Sequence, residues 1–399
     1  MKRLVVIPSD PISAYEKKGR SNLLESYYNP KGMFDEVYIM SPIETTNTYK
    51  YGMYISKETT QSFKKKVKSI SPDLIRVYGA YWPSDFIAKV RPRNTPVVLS
   101  IHDSHPSMIF HSSAFSDHLI CMSSVVEDTV IKKTNVNKKR FIRLPNRVDT
   151  SVFYPQAEKK KIQALFPSLP EGKAILHVGR KSIEKNINTV ISSLNHLPKD
   201  YFCIFVGQGN KDKYTEQAKN QEVEDRCFWI DSINNSDLAD WYNACSCLCV
   251  PSLWEGFGIV FIEAAACGTP IITSNIQPMS EYLKHKESAY LVNEYKSPEA
   301  LAHAIREVCN NEELRQKITT NAVIAAAPFD KNKVDEDEKN IYLSLFDKTT
   351  LSNFDWFNLL VWRLKTRCSA FLSIIIFDPI KTMIHFSVRR LKSSLKIKS

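Results

Sequence analysis

No arrangement of cysteines in this chain could staple a fold. Nine are spread over 399 residues, and none stands in a Cys-x-x-Cys pair or in a Cys/His cluster with zinc-ligand spacing. That excludes a disulfide scaffold and a structural zinc site, and it fits a reducing cytoplasm. Cys245, Cys247 and Cys249 alternate, as small apolar residues on one buried strand face do. Long apolar runs are also lacking at the start. After Met1-Lys2-Arg3 the apolar residues 4–7 stop at Pro8-Ser9-Asp10, too short for a signal peptide, and read as a first strand. There is no repeat of solenoid length, no low-complexity stretch and no recognised nucleic-acid module, so nucleic acid is not an expected partner. Asp335-Glu336-Asp337 has the letters of an acid-x-acid metal motif. It sits in a highly charged helical run and reads as a solvated face, so no metal is expected.

What is present is an ordinary globular composition, 43% hydrophobic, in a chain long enough for two full cores. The formal net charge of +11 is uneven. From Leu351 onward nine Lys and Arg face only Asp355 and Asp378, so most of the surplus lies in the tail. There Trp356, Phe357, Leu359, Leu360 and Trp362 precede the apolar stretch 370–377, interleaved with Arg363, Lys365 and Arg367. The run is well short of the ~20 residues that span a bilayer, and aromatic and apolar residues beside basic ones suit a helix lying on an anionic membrane surface. Packing of residues 353–362 back onto the body is the alternative.

Along the chain, short apolar strands alternate with segments of helical length, which predicts parallel sheets. The first series has strands near residues 4–7, 36–40, 74–78, 96–100, 118–122 and 141–144. Its first ligand loop is Ala14-Tyr15-Glu16-Lys17-Lys18-Gly19-Arg20, where Lys18 and Gly19 are candidates for contact with a phosphate or an acceptor. No GxGxxG is present there. His102 and Asp103 follow the fourth strand, at the carboxyl edge where crevices of open α/β sheets lie. Residues 150–170, with three prolines, read as a linker.

The second series starts at Ala174-Ile175-Leu176-His177-Val178-Gly179, and Arg180, Lys181 and Lys185 follow at a strand-to-helix turn, where two cations can hold a diphosphate, an Arg as a fork and a Lys as a point charge. It culminates in Pro251-Ser252-Leu253-Trp254-Glu255-Gly256-Phe257-Gly258, where a buried strand stops, a glycine loop turns and a helix begins. Amides of such a loop and the positive end of the helix make a phosphate site. Glu255 on the loop and Glu263 in the helix are placed for different parts of one polar ligand.

The combination Gly179-Arg180, Glu184-Lys185-Asn186, Gly207-x-Gly209, Glu255-Gly256-Phe257-Gly258, Glu263-Ala264 and Cys267-Gly268-Thr269-Pro270 resembles family 4 glycosyltransferases, which are retaining and have the two-domain GT-B fold. Pro145-Asn146-x-Val148-Asp149 also matches, with Arg147 in place of the usual glycine. The resemblance implies an α/β fold with two Rossmann-like domains facing across a cleft. An N-terminal acceptor domain (1–155) and a nucleotide-sugar donor domain (165–345) would precede the basic amphipathic extension (350–399). It further implies that Arg180 and Lys185 bind the diphosphate of a UDP- or GDP-linked sugar, that Gly256, Phe257 and Gly258 complete the cradle, and that Glu263 holds the ribose. Glu255 and His102 would then lie at the transferred sugar. The acceptor would be a glycan or lipid-linked glycan of cell-surface polysaccharide or lipopolysaccharide synthesis, met at the cytoplasmic face of the membrane, and no cofactor is implied. A nucleotide-sugar epimerase or phosphorylase on the same fold is the rival enzyme. A silent binding protein would be marked by loss of Arg180, Lys185 or Glu255, and all three are present.

Overall fold

Two parallel sheets organise the computed structural model, which describes residues 1–17, 24–158, 161–346 and 348–372. Lys18 and Gly19, and the basic stretch beyond residue 372, lie outside the described residues. The first sheet contains β1 (Arg3–Ile7), β2 (Glu36–Ser41), β3 (Thr48–Lys50), β4 (Met53–Lys57), β5 (Leu74–Tyr78), β6 (Val97–Ile101), β7 (His118–Cys121) and β8 (Phe141–Arg143). Their order is β3-β4-β2-β1-β5-β6-β7-β8. The second contains β9 (Lys173–Val178), β10 (Tyr201–Val206), β11 (Cys227–Ile230), β12 (Cys247–Val250), β13 (Ile271–Ser274) and β14 (Tyr290–Val292). Its order is β11-β10-β9-β12-β13-β14. In both sheets the chain winds outward, returns to the middle and winds the other way. This creates a switch point at β1/β5 and another at β9/β12, and ligand crevices form outside the strand ends at such points. Central strands such as Ile-Leu-His-Val and Cys-Leu-Cys-Val are buried on both faces by helices, which explains their nearly unbroken apolar runs.

The antiparallel hairpin β3–β4 was not anticipated. It turns at Tyr51-Gly52, both at positive φ, and a tyrosine is an uncommon residue for that conformation, so the turn carries little local signal. The Tyr51 hydroxyl donates to Glu16 at 2.8 Å, which anchors the turn from outside the hairpin. Cys245 also departs from expectation. It precedes β12 and packs in the core layer of Leu248 and Val250, opposite the layer holding Cys247 and Cys249.

Two segments expected elsewhere belong to other bodies. Phe153, Ile162 and Leu169, from the stretch read as a linker, are buried in the second domain's core. The helix Lys331–Leu345, assigned by sequence to the donor domain, returns to the first. Its Val334, Tyr342 and Leu345 join the core of Leu4, Val37 and Ile39. Asp335 and Glu338 on that helix are buried as well, so Asp335 departs from the reading of 335–337 as a solvated face, which Asp337 keeps. Arg147 donates to both carboxylates, at 2.5 Å to Glu338. Arg76, itself buried, reaches Glu338 at 3.5 Å and donates to the Tyr342 hydroxyl at 2.7 Å. Burial alone would raise the pKa of Glu338, but Arg147 and Arg76 outweigh it and hold the carboxyl below its usual range.

The C-terminal helix Asn353–Leu372 also lies on the first domain. Leu359, Trp356 and Trp362 pack against Ala88 and Phe115. The Arg91 guanidinium sits 4.8 Å from the centre of the Trp356 ring, and Arg363 Nε donates to the Ala88 carbonyl at 2.8 Å. Part of the segment expected to be interfacial is thus a packing element.

Candidate active site

The second switch point assembles the residues that the sequence singles out. After β9 the chain turns through Gly179 into a short 3-10 turn, Ile183–Lys185, and Asn186 reverses it in the left-handed region before the helix Ile187–Ser193. This geometry sends the Lys185 side chain back across Gly179 toward β12. There its Nζ meets Glu255 Oε1 at 2.5 Å, with both side chains nearly buried. The Ser252 hydroxyl donates to the same carboxylate oxygen at 2.7 Å. The amide of Leu253 donates to the Glu184 carbonyl at 2.8 Å, tying the two loops together.

Beneath Lys185 lies His177, fully buried on β9, whose Nε2 donates to the Lys185 carbonyl at 3.1 Å. Burial pushes its pKa down to about 4, so it is neutral and acts as a fixed strut. In the sequence it stood only as one residue of an apolar strand, and its partner was not visible there. Lys181, adjacent to Arg180, turns inward to the Gly207 carbonyl and is structural. Arg180 stays exposed and donates to Glu184 at 3.0 Å. Of the two expected diphosphate cations, Lys185 is therefore seated in the crevice, while Arg180 is held at its outer edge.

The glycine loop leads into the helix Ile259–Ala266. Among the described residues, the amides of Gly256, Phe257 and Gly258 donate to no protein acceptor, while the carbonyls of Glu255 and Gly256 join the two domains. Ser104 donates to the Glu255 carbonyl at 3.0 Å and Ser123 to the Gly256 carbonyl at 2.6 Å. The Tyr282 hydroxyl donates to the Phe257 carbonyl at 2.7 Å. No side chain fits at Gly256, because a Cβ there would run into the carbonyl oxygen of His102. Glu281 of the second domain accepts from the amide of Ser124 at 3.2 Å and from Arg143 at 3.4 Å, which closes the cleft on one side. Ser104 was legible only as a neighbour of His102. Glu281 carried no signal, since its partners are about 140 to 160 residues away in the chain.

His102 reaches the same cleft from the end of β6. Its ring stacks on Tyr78 with centroids 6.1 Å apart. Burial, together with the charges of Arg76 and Arg147, lowers its pKa to about 3, so the ring is neutral. Glu263, from the first turns of the loop's helix, occupies a different part of the cleft. It accepts from the Tyr242 hydroxyl at 3.0 Å and lines a cavity of about 310 Å³ with Ile259 and Asn235 on one side and Tyr27, Arg147 and Asp335 on the other. The structure thus brings Lys185, Glu255 and the glycine loop together beside the His102 carbonyl, and places Glu263 on a separate cavity.

Two Rossmann-like domains whose strand ends face one another across this cleft form a GT-B fold. Residues 158–323 match the family described as glycosyl transferases, group 1. Over 323 residues the chain is 24% identical to an uncharacterized glycosyltransferase of Methanocaldococcus jannaschii, covering 75% of this chain and 81% of that one. It is 27% identical over 206 residues to the O-antigen chain mannosyltransferase RfbU of Salmonella typhimurium, about half (51%) of each chain. Among solved structures, Anabaena HepE in complex with UDP and glucose superposes with a TM-score of 0.70 at 19% identity, over 86% of this chain and 100% of that one. WaaG, a glycosyltransferase involved in lipopolysaccharide biosynthesis, gives 0.65 at 16% identity, over 86% and 99%.

Proposed function

We propose that this glycosyltransferase moves a sugar from a UDP- or GDP-linked donor to a hydroxyl of a glycan or lipid-linked glycan, with retention at the anomeric carbon, in synthesis of a cell-surface polysaccharide or lipopolysaccharide. The observation that carries the reading is the Lys185–Glu255 pair beside the uncommitted amides of Gly256 to Gly258. A nucleoside diphosphate laid on these amides takes Lys185 as counter-ion and frees the Glu255 carboxylate for the donor sugar. Arg180 swings in from the crevice edge, and Glu263 receives the ribose hydroxyls. In the transfer the bond from the anomeric carbon to the diphosphate oxygen breaks. The bond to the acceptor oxygen forms on the same face, and the acceptor proton passes to the departing phosphate. Preorganised amides and a partly desolvated lysine stabilise the charge that develops on the leaving group. They take the role a metal ion plays elsewhere, so turnover persists in excess EDTA. Incubation with UDP- and GDP-sugars and lipid-extract acceptors, with EDTA present, tests the whole reading. It is rejected if no nucleotide is released, or if release requires added Mg²⁺ or Mn²⁺.

The same reading places the enzyme peripherally on the cytoplasmic face of the membrane. On the outer side of the helix Asn353–Leu372, Phe354, Phe357, Leu360 and Leu364 are 71, 60, 53 and 53% exposed. Their spacing of 3, 3 and 4 makes one apolar stripe on the helix surface. Lys365 and Arg367 lie on the same helix. Among the described residues no helix is long and apolar enough to cross a membrane. An anionic lipid surface suits this face, because it covers the stripe and attracts the basic residues by about 1 kcal/mol each. Phe357→Glu/Leu360→Glu protein is expected to lose flotation with phosphatidylserine vesicles at low salt. Equal flotation of wild type and double variant would remove the helix from membrane binding.

A further inference from the structure

At the edge of the second sheet opposite the crevice, one pair of thiols stands apart from the other cysteines. Cys247 opens β12 and is buried, and Cys309 is the last residue but one of the helix Pro298–Asn310. Their sulfur atoms are 4.0 Å apart although 62 residues separate them in the chain. Cys309 is partly open to solvent, whereas the other cysteines whose side chains are described are buried. Lys173, at the start of β9, lies beside it, donating to the side-chain oxygen of Asn310 and to the Tyr201 hydroxyl at 3.2 Å. The hydrogen bond available from Cys247, with the charges of Lys173 and Arg315, holds the Cys309 thiol below its usual pKa in spite of burial. The same hydrogen bond and burial raise Cys247, which stays a thiol. Cys203 and Cys227 face each other in register on β10 and β11, but burial raises both, Cys227 to about 12.

We propose that Cys309 and Cys247 are a modification site for hydroperoxides, in which Cys309 is oxidised first and Cys247 closes a reversible disulfide. The Cys309 sulfur attacks one oxygen of the hydroperoxide and the O–O bond breaks. The other oxygen leaves with the thiol proton, and Cys309 becomes a sulfenic acid, two electrons poorer. The Cys247 sulfur then attacks that of Cys309, the S–O bond breaks, and the hydroxyl departs as water with the Cys247 proton. Two thiols and one hydrogen peroxide thus give one disulfide and two waters. Access fixes the order of the steps, since Cys309 is the thiol that solvent reaches. An S–S bond of about 2.05 Å requires the sulfurs to approach by roughly 2 Å. Each cysteine lies at the end of its element, where side-chain rotation and fraying of the last helical turn supply that movement. Because β12 runs from Cys247 toward Ser252 and Glu255, the bond forms at the strand end away from the crevice. It closes a loop of chain that contains the glycine loop, Glu255 and Glu263, and it stabilises this half of the domain by restricting the unfolded chain. The inference stands independently of the donor reading.

The test is peptide mapping by mass spectrometry on the full chain, first reduced and then exposed to hydrogen peroxide without denaturant. A peptide pair joined through Cys247 and Cys309 should appear, lighter than its two thiol forms by two hydrogen atoms. It should form at least tenfold faster than any product at Cys203 or Cys227 and be reversed by dithiothreitol. The crosslinked chain should melt at least about 3 °C higher than the reduced one. Cys247→Ala should leave a sulfenic acid on Cys309 that dimedone traps, and Cys309→Ala should leave Cys247 reduced and abolish the rise in melting temperature. Absence of the link at a peroxide concentration that oxidises glutathione, a link formed only in urea, faster oxidation at Cys203 or Cys227, or dimedone trapped on Cys247 would each overturn the site. An unchanged melting temperature in fully crosslinked protein would overturn its stabilising effect.

Discussion

Lys185→Ala is expected to lower kcat/KM by about 10²–10³, the usual loss when one preorganised charge partner of a transition state is removed. The substitution takes more than a cation from the diphosphate. With Lys185 gone, Glu255 keeps its hydrogen bond from Ser252 but loses its ion partner at 2.5 Å. It then stands as an uncompensated, nearly buried carboxylate beside the place where a second anion must bind. Glu255→Gln is expected to lower turnover through the donor sugar while leaving nucleotide affinity nearly intact. The double variant should therefore bind nucleotide more tightly than Lys185→Ala alone, because the repelling carboxylate is absent. Calorimetric titration of the four proteins with UDP and GDP gives the cycle directly. Strict additivity of the two substitutions would show that Lys185 and Glu255 act on the ligand independently, and the proposed exchange of partners would be wrong.

The proposed donor crevice was legible in the sequence because its parts are local. A strand that ends in glycine, a basic turn and a glycine loop opening a helix each occupy fewer than ten residues, and each has the composition its backbone needs. Glu255, Lys185 and Glu263 could be named from that pattern. Their pairing could not, since Lys185 reaches Glu255 across 70 residues. The first domain was harder to read for the opposite reason. Its cavity at the β1/β5 switch point is built from tyrosines supplied by the short helix after β1, by the end of β5 and the turn beyond it, and by the segment containing Tyr27. Tyrosine in such places is equally compatible with packing. The domain boundary at 345 failed because helix Lys331–Leu345 is rich in charge from residue 331 to 339. Helical pattern alone cannot show that one of those charges faces inward.

That inward charge sets the largest expected loss of stability. Glu338 is buried and accepts from Arg147 at 2.5 Å and from the Tyr342 hydroxyl at 2.5 Å, with Arg76 at 3.5 Å. Its partners lie 191 and 262 residues away in the chain, so the helix is pinned to the first domain by charge as well as by Val334 and Leu345. Arg147 holds the place where the family resemblance leads one to expect glycine, and its guanidinium fills that place by reaching both Asp335 and Glu338. Removing one member of a buried network costs more than the network contributes, because the remaining charges cannot recover water. Glu338→Ala leaves Arg76, buried and bonded only to Ser100 and Tyr342, and Arg147 with Asp335 alone. The expected cost is about 3–5 kcal/mol in the unfolding transition of the first domain, read by urea denaturation. Asp337→Asn, one residue earlier on the same helix and exposed, should stay within about 0.5 kcal/mol. The pair of variants separates burial from helix charge in general. A loss below about 1 kcal/mol for Glu338→Ala, or an equal loss for Asp337→Asn, would mean that the apolar face alone holds the helix and that the arginines are satisfied by water.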